Sequence, residues 1–239
     1  MVTAYDYSRQ IKTLARLTPT LGSANGGVDP WAALDGSTVV MPWQQAYVNA
    51  GLGRHVTVGA KTTPIQGGGA GTVYDDDQPE FIISVPSGTA IMPLRFHIQC
   101  QVPLLAADSE EAEMLIAVDR TQAWDAVGTS TTEVAFNMRT DIASASACTI
   151  ASAVTGNMTA APTLGLELAR AVLLGDFQGT PANAMWTPFD LLYEPSPAAP
   201  IIHGPAMVVG YWGGTVAVTG FAQLQWIEFS STYDPVVGG

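Results

Sequence analysis

Charged residues are scarce in this sequence, and basic residues are the scarcest. Asp, Glu, Lys and Arg make up 13% of the 239 residues, whereas about 25% is usual for a soluble domain. Twenty-one acids against nine bases give a formal net charge of −12. Such a surface repels phosphate, which disfavours nucleic-acid binding by the body of the protein and binding to anionic membranes. With 47% hydrophobic residues, the low charge predicts that part of the surface is buried against other subunits.

Cysteines and long apolar runs are also scarce. The two cysteines, Cys100 and Cys148, fit no metal-binding spacing, and Cys100 belongs to an apolar alternation typical of a buried thiol. No apolar run approaches the length of a membrane span. The first 20 residues lack the apolar segment of a signal peptide. We therefore expect a protein that is made in the cytoplasm and does not enter a membrane.

Catalytic and cofactor-binding motifs are absent from the sequence. It has no Gly-x-Ser-x-Gly, no phosphate-binding loop, no His-Glu-x-x-His and no Cys-x-x-Cys. Its three histidines, His55, His97 and His203, are far apart and lack the spacing of a zinc site. The sequence predicts no enzyme, no cofactor and no small-molecule substrate. An enzyme on a cupin or lectin-like fold is a less favoured alternative.

Strands and turns fill the chain from Pro79 onward. The clearest run has apolar residues at every second position, separated by Arg95, His97, Gln99 and Gln101. A period of two over nine residues is typical of a half-buried strand. The apolar members of the run are Leu94, Phe96, Ile98, Cys100 and Val102.

Further strands are expected at fairly even spacing, at 81–85, 114–118, 133–138, 149–154, 207–212 and 216–229. The apolar residues of 164–174 have a helix-like spacing. A helix, a covered loop and a strand are the alternatives for this segment. The proline-rich stretch 179–200 is expected to connect elements, since proline is unsuited to central strands.

About eight strands without strand–helix–strand alternation predict an all-β fold, an antiparallel jelly-roll sandwich over residues 79–239. Residues 1–78 are interpreted as an extended N-terminal arm with one or two short helices. The first helix is expected at 6–17, and the second at 43–50 between Pro42 and Gly51.

The arm contains the candidate assembly residues. Arg9, Lys12 and Arg16 place three of the nine basic residues within the first 16 positions. They could face nucleic acid inside a shell, or they could form salt bridges with the acidic body of a neighbour. Trp31 and Trp43 are large aromatic side chains that could anchor the arm on that neighbour.

An acidic cluster separates the arm from the strands. Asp75, Asp76 and Asp77 are adjacent, and Glu80 follows closely. Repulsion between neighbouring carboxylates can be relieved by a hard cation such as calcium. The alternative, which we favour, is a solvated linker, so no metal site is assigned.

Three segments resemble viral jelly-roll capsid proteins, particularly those of bacterial viruses. They are Val-Pro-Ser-Gly-Thr-Ala-Ile-Met-Pro-Leu at 85–94 with the alternating strand that follows, Ile-His-Gly-Pro-Ala-Met-Val-Val at 202–209, and Phe-Ala-Gln-Leu-Gln-Trp-Ile-Glu-Phe at 221–229. The resemblance covers residues 79–229. It implies eight antiparallel strands in two facing sheets, an N-terminal arm that reaches neighbouring subunits, and no catalytic residues.

The resemblance implies a structural role in a virion, as a major shell subunit, a vertex protein or a decoration protein. Its partners would be copies of itself and other capsid proteins. The strongly basic tail of genome-packing relatives is reduced here to three residues, so nucleic-acid contact is expected only through the arm. The alternative function is a trimeric receptor- or glycan-binding head, which would use exposed aromatic residues such as Trp124 or Trp186.

Overall fold

The fold is a sandwich of two antiparallel β-sheets. The computed structural model describes residues 31–32, 38–39, 42–68, 74–104, 109–121, 129–155, 158, 160–176, 185–196, 198–215 and 218–230. The predicted all-β class is confirmed, because strands make up most of the described chain and helix only one short segment.

The single described helix, α1, covers Trp43–Asn49, within the segment for which the second helix was predicted. The described strands are, in chain order, β1 (Trp31–Ala32), β2 (Thr38–Val39), β3 (Gly53–Val58), β4 (Ile65–Gln66), β5 (Phe81–Val85), β6 (Thr89–Leu104), β7 (Ser109–Asp119), β8 (Thr129–Glu133), β9 (Phe136–Asn137), β10 (Thr149–Thr155), β11 (Leu166–Asp176), β12 (Met185–Tyr193), β13 (Ile202–His203), β14 (Ala206–Gly214) and β15 (Thr219–Ser230).

Two large sheets face each other, and β1 and β2 form a separate two-stranded sheet. The six-stranded sheet has the order β11-β7-β14-β5-β10-β8. The seven-stranded sheet has the order β12-β6-β15-β3-β9, with β13 beside β6 and β4 beside β15. One lateral edge of the sandwich is therefore formed by β11 and β12, which contact each other, and the opposite edge by β8 and β9.

The core between the sheets is built from alternate residues of the long strands. In β6, Phe96, Ile98 and Cys100 point inward, as the period of two predicts. Trp212 of β14 and Trp226 of β15 are fully buried there and supply the largest side chains. Cys100 and Cys148 are both buried free thiols, as was predicted for Cys100.

The outer face of the six-stranded sheet is apolar around β14 as well. Every residue of β14 is buried, since its outward side chains, including Val209 and Tyr211, form a second apolar cluster. Tyr74 and Met158 come from two segments that cover this face. The Tyr211 hydroxyl donates a 2.7 Å hydrogen bond to the backbone carbonyl of Asp76, which fixes one of these segments to the sheet.

The seven-stranded sheet is covered on its outer face at one end. Helix α1 contributes Tyr47 and Val48, which pack against a buried cluster that includes Met92, Ile227 and Phe229. A helix of seven residues is too short to be stable alone. Its position is therefore held by this apolar contact. Farther along the same face, the sheet presents polar side chains.

Several predicted boundaries need correction. Residues 53–58 were assigned to the arm but form β3, which pairs with β15 inside the seven-stranded sheet. The sheets therefore begin before residue 79. Residues 185–193 were expected to be a connector but form β12. This strand lies at the sheet edge, where the missing N–H of Pro188 is tolerated. Residues 164–174, which were left open, fall mainly in β11. The helix predicted at 6–17 lies outside the described residues.

The close contact between Gly210 and Phe81 can be tested by substitution. A Cβ atom at Gly210 would overlap the Phe81 ring in the sandwich core. We expect Gly210→Ala to lower the free energy of unfolding by roughly 1–3 kcal/mol, the usual cost of overpacking a core. Gly165→Ala is the matched control, because the nearest atom to its Cβ lies 3.7 Å away. Chemical denaturation of both variants measures the difference, and equal stabilities would contradict the packing described.

Candidate functional site

The acidic cluster forms a compact turn. The Gln78 amide donates to the side-chain oxygen Oδ2 of Asp75 at 2.8 Å, and the Asp77 backbone N–H donates to Oδ1 at 3.4 Å. A hydrogen bond with the Asp77 side chain raises the pKa of Asp75, and partial burial adds to the rise. The carboxylate of Asp75 is thus engaged within its own turn.

Glu80 points into the protein and is almost fully buried. Its Oε1 accepts a 2.5 Å hydrogen bond from the Gly68 N–H, and its Oε2 accepts a 2.9 Å bond from the Trp212 N–H. Burial raises the pKa of Glu80 to about 8, although the two amide bonds act in the opposite direction. Glu80 therefore joins the segment before the acidic turn to β14.

The four acidic residues considered for calcium do not form a ligand set in the structure. Asp75, Asp76 and Asp77 share a turn, while both oxygens of Glu80 accept bonds from backbone amides. Within the described part of the chain, no group of three or more His, Cys, Asp or Glu side chains is arranged to hold a metal ion.

The predicted assembly residues of the arm are not located relative to the body. Arg9, Lys12 and Arg16 lie outside the described residues. Trp31 belongs to β1 and Trp43 begins α1, but the side chains of both lie outside the description. Their contacts with a neighbouring subunit stay a prediction.

The three histidines occupy different strands. His55 lies on β3 and His97 on β6, while His203 lies on β13. His97 Nε2 is 3.5 Å from Asp190 Oδ2, so this side chain faces a surface carboxylate on the neighbouring strand. Burial lowers the pKa of His55.

A polar face on the outside of the seven-stranded sheet spans two strands, and sequence analysis predicted only the part on β6. Gln99 and Gln101 of β6 alternate with inward apolar residues, and Gln223 and Gln225 do the same on β15. These two strands are neighbours, so the glutamines share one face. The signal was visible in the sequence as two pairs of glutamines at a spacing of two, but their adjacency depends on the pairing of distant strands.

A cleft of about 240 Å³ opens on this polar face. Its lining residues include Lys61, Gln99, Gln101, Pro188 and Phe221. They offer an ammonium group, amide donors and acceptors, and an aromatic ring, which suit the binding of a small polar group. Cys100 also borders the cleft, but burial raises its pKa far above the ordinary value, which makes it a poor nucleophile.

The large exposed hydrophobic side chains of the described residues all lie at the two lateral edges of the sandwich. Val172 and Leu174 of β11 are 47% and 74% exposed. At the other edge, Val134 and Phe136 are 65% and 67% exposed. Leu192, on β12, is 45% exposed and points away from the opposite sheet. Exposed apolar groups concentrated at edges indicate contact surfaces.

A groove of about 590 Å³ lies at the second edge and is called here the β8–β9 groove. Its lining includes Val134, Phe136, Ile142 and Ala143. The Asn137 amide, which also borders the groove, donates a 2.8 Å hydrogen bond to the backbone carbonyl of Gly51. This bond attaches the groove wall to the body.

The loop that forms the groove is anchored further by a buried carboxylate. Glu228 of β15 accepts hydrogen bonds from the Ser146 hydroxyl at 2.5 Å and from the Ala147 N–H at 2.8 Å. Arg54 lies 3.8 Å from the same carboxylate and donates to the Gly51 carbonyl at 3.0 Å. With these bonds the groove is preformed in the single chain.

Comparison with known proteins adds no assignment. No family model matches the chain, no curated protein matches it and no solved structure matches it. No helix in the described residues is long and apolar enough to cross a membrane.

The buried carboxyl of Glu80 predicts a pH-dependent stability. Its pKa is about 8 in the folded protein against 4.5 for the free side chain. The folded state thus retains a proton that the unfolded state loses. The free energy of unfolding therefore declines as pH rises from about 4.5 to about 8. In thermal unfolding, the melting temperature of the wild type should fall relative to that of Glu80→Gln as pH rises across this range. A difference that is constant with pH would contradict the raised pKa.

Proposed function

We propose that the chain is a virion structural protein, a jelly-roll capsid subunit of a bacterial virus. It assembles with copies of itself and with other shell proteins through its body and its N-terminal arm. It has no catalytic role and no cofactor. It is made in the host cytoplasm and is located in the capsid, where it serves as a shell, vertex or decoration protein.

The observation that carries the proposal is the order in which eight strands pair. Numbered along the chain, these are β3, β5, β6, β7, β11, β12, β14 and β15. The first pairs with the last, the second with the seventh, the third with the sixth and the fourth with the fifth, all antiparallel. A long ribbon folded back on itself has this pairing.

The same eight strands then divide between two sheets. Contacts between β15 and β6 and between β14 and β7 join the ribbon pairs into the orders β3-β15-β6-β12 and β5-β14-β7-β11. Rolling a folded ribbon around a barrel produces these two orders, and the jelly roll is the eight-strand fold of that kind. Strands β8, β9 and β10 form an insertion between the fourth and fifth ribbon strands, at the edges of the sheets.

Surface chemistry supports assembly as the function of this fold. The chain has a charged content of only 13%, and the large exposed apolar side chains of its described residues lie on or beside the edge strands of the two sheets. Subunits that pack side by side in a shell bury such edges. Segments packed on the outer face of the six-stranded sheet are fixed to it, as is expected of a rigid subunit.

The cleft of about 240 Å³ on the polar face favours a second candidate function, a jelly-roll head that binds a receptor or a glycan. Aromatic rings and amides are the groups that bind sugars, and Phe221, Gln99 and Gln101 lie together there. Trp124, considered for this role, lies outside the described residues, and the Trp186 side chain does too. Saturable binding on a glycan array, lost in Phe221→Ala, would favour this candidate over the first.

Self-assembly is tested on the full chain and on a shortened chain that starts at Pro42. The shortened chain retains α1 and β3, which belong to the body. Light scattering should show a defined oligomer or shell for the full chain and a smaller species for the shortened one, because the arm contributes contacts. Circular dichroism controls for folding. A full chain that stays monomeric at all concentrations would contradict the proposed function.

A further inference from the structure

The two lateral edges of the sandwich carry complementary apolar features. On one edge, Val172 and Leu174 project from β11, since they alternate with the inward side chains of Ala171 and Leu173. We call the two projecting residues the β11 strip. The other edge carries the β8–β9 groove. One feature is a pair of projecting side chains and the other is a cavity of about 590 Å³.

The groove is uncharged in a strongly acidic chain. The β11 strip lies beside charged residues of β7: Val172 faces Glu113, which forms a salt bridge with Arg170, and Leu174 faces Glu111. The β11 strip consists of aliphatic side chains, and the groove is lined by residues such as Val134, Phe136, Thr140 and Ile142. With a net charge of −12, copies of this chain repel one another over most of their surface. A neighbour that docks on the uncharged groove places no carboxylate opposite another there, which favours the groove for contact between copies.

We propose that the β11 strip of one protomer inserts into the β8–β9 groove of the next copy. The contact is head to tail, because the strip and the groove lie on opposite edges of one chain. A repeated contact of this kind closes into a ring or continues as an open array. The inference deepens the proposed function and rests on it, since it names the surface through which the subunits assemble.

The groove is suited to receive a neighbour without rearrangement. Its loop is fixed by Asn137 to the Gly51 carbonyl and by Ser146 to the Glu228 carboxylate. Arg139 adds a hydrogen bond of 2.6 Å to the Asn49 carbonyl. A preformed site avoids the ordering cost of binding.

The apolar contact would form the centre of a larger interface. A stable interface buries about 1,600 Å² in total, far more than two side chains provide. Interfaces of this size have a few apolar residues at their centre, where most of the binding energy lies, surrounded by a polar rim. Leu174 and Phe136, the most exposed apolar side chains of the described residues, are the expected central pair.

Two charge substitutions test the head-to-tail contact. Leu174→Asp removes the strip and leaves the groove, whereas Phe136→Asp removes the groove and leaves the strip. Each variant alone should lose the oligomer and give the mass of a monomer by light scattering. An equimolar mixture should give a 1:1 heterodimer, because the intact strip of one variant binds the intact groove of the other. Thr57→Asp, at an exposed position of β3 beside Gln223 on the polar face, is the control and should retain the wild-type mass.

Each other result overturns the inference in a distinguishable way. If Phe136→Asp still dimerises alone while Leu174→Asp does not, the strip pairs with itself. If both variants keep the wild-type oligomer, assembly uses another surface, and the proposed function survives. If the wild type is monomeric, the inference and the proposed function fail together. Melting temperatures close to that of the wild type verify that the variants are folded, as is expected for substitutions at exposed positions.

Discussion

The six-stranded sheet is apolar on both faces around β14, and much of the structure depends on the need to cover this region. Its inner face meets the seven-stranded sheet around Trp212 and Trp226. Its outer face would expose Val209 and Tyr211 to water without the segments that carry Tyr74 and Met158. Each square ångström of apolar surface removed from water stabilises the fold by about 25 cal/mol. The covering segments therefore belong to the body, and Glu80 and the Tyr211 hydroxyl are bonded close to where they cross the sheet.

With these covers in place, the large exposed apolar side chains of the described residues lie on or beside the edge strands. The insertion β8–β10 widens the sandwich at one edge, and β11 and β12 end it at the other. Exposed edges are a hazard for sheets, because unpaired backbone groups and apolar side chains attract further strands. The assembly proposed above would use this property, and it requires that the contacts be specific. The acidic character of the remaining surface supports such specificity, because it disfavours contacts elsewhere.

Local sequence patterns predicted much of the fold. The alternation in β6 results from one buried face and one solvent-exposed face, and this strand was predicted correctly. The secondary structure of β11 was not decided from the sequence, because a register shift between Glu167 and Ala169 breaks the period of two. The apolar residues then have a spacing that resembles that of a helix. Strand β3 was missed, since its short run lies between glycines and its partner β15 is far along the chain. Pairing of distant strands is not encoded in any local window.

The same reasoning explains which site features were predictable. The acidic cluster was evident, but the burial of Glu80 depends on Trp212, a residue 132 positions away. The strip and the groove depend on which strands end the sheets, and that order emerges only when the whole ribbon is folded. Arg9, Lys12 and Arg16 were recognised in the sequence as a basic group, and they lie outside the described residues.

The central claim is that eight strands form a folded ribbon whose lateral edges join one copy to the next. Electron cryomicroscopy of the assembled 239-residue chain tests both parts in one reconstruction. The account predicts the orders β3-β15-β6-β12 and β5-β14-β7-β11 in every subunit, with β11 of one copy against the β8–β9 groove of its neighbour. A different strand order, or subunits joined through their broad faces with both edges exposed, would contradict it.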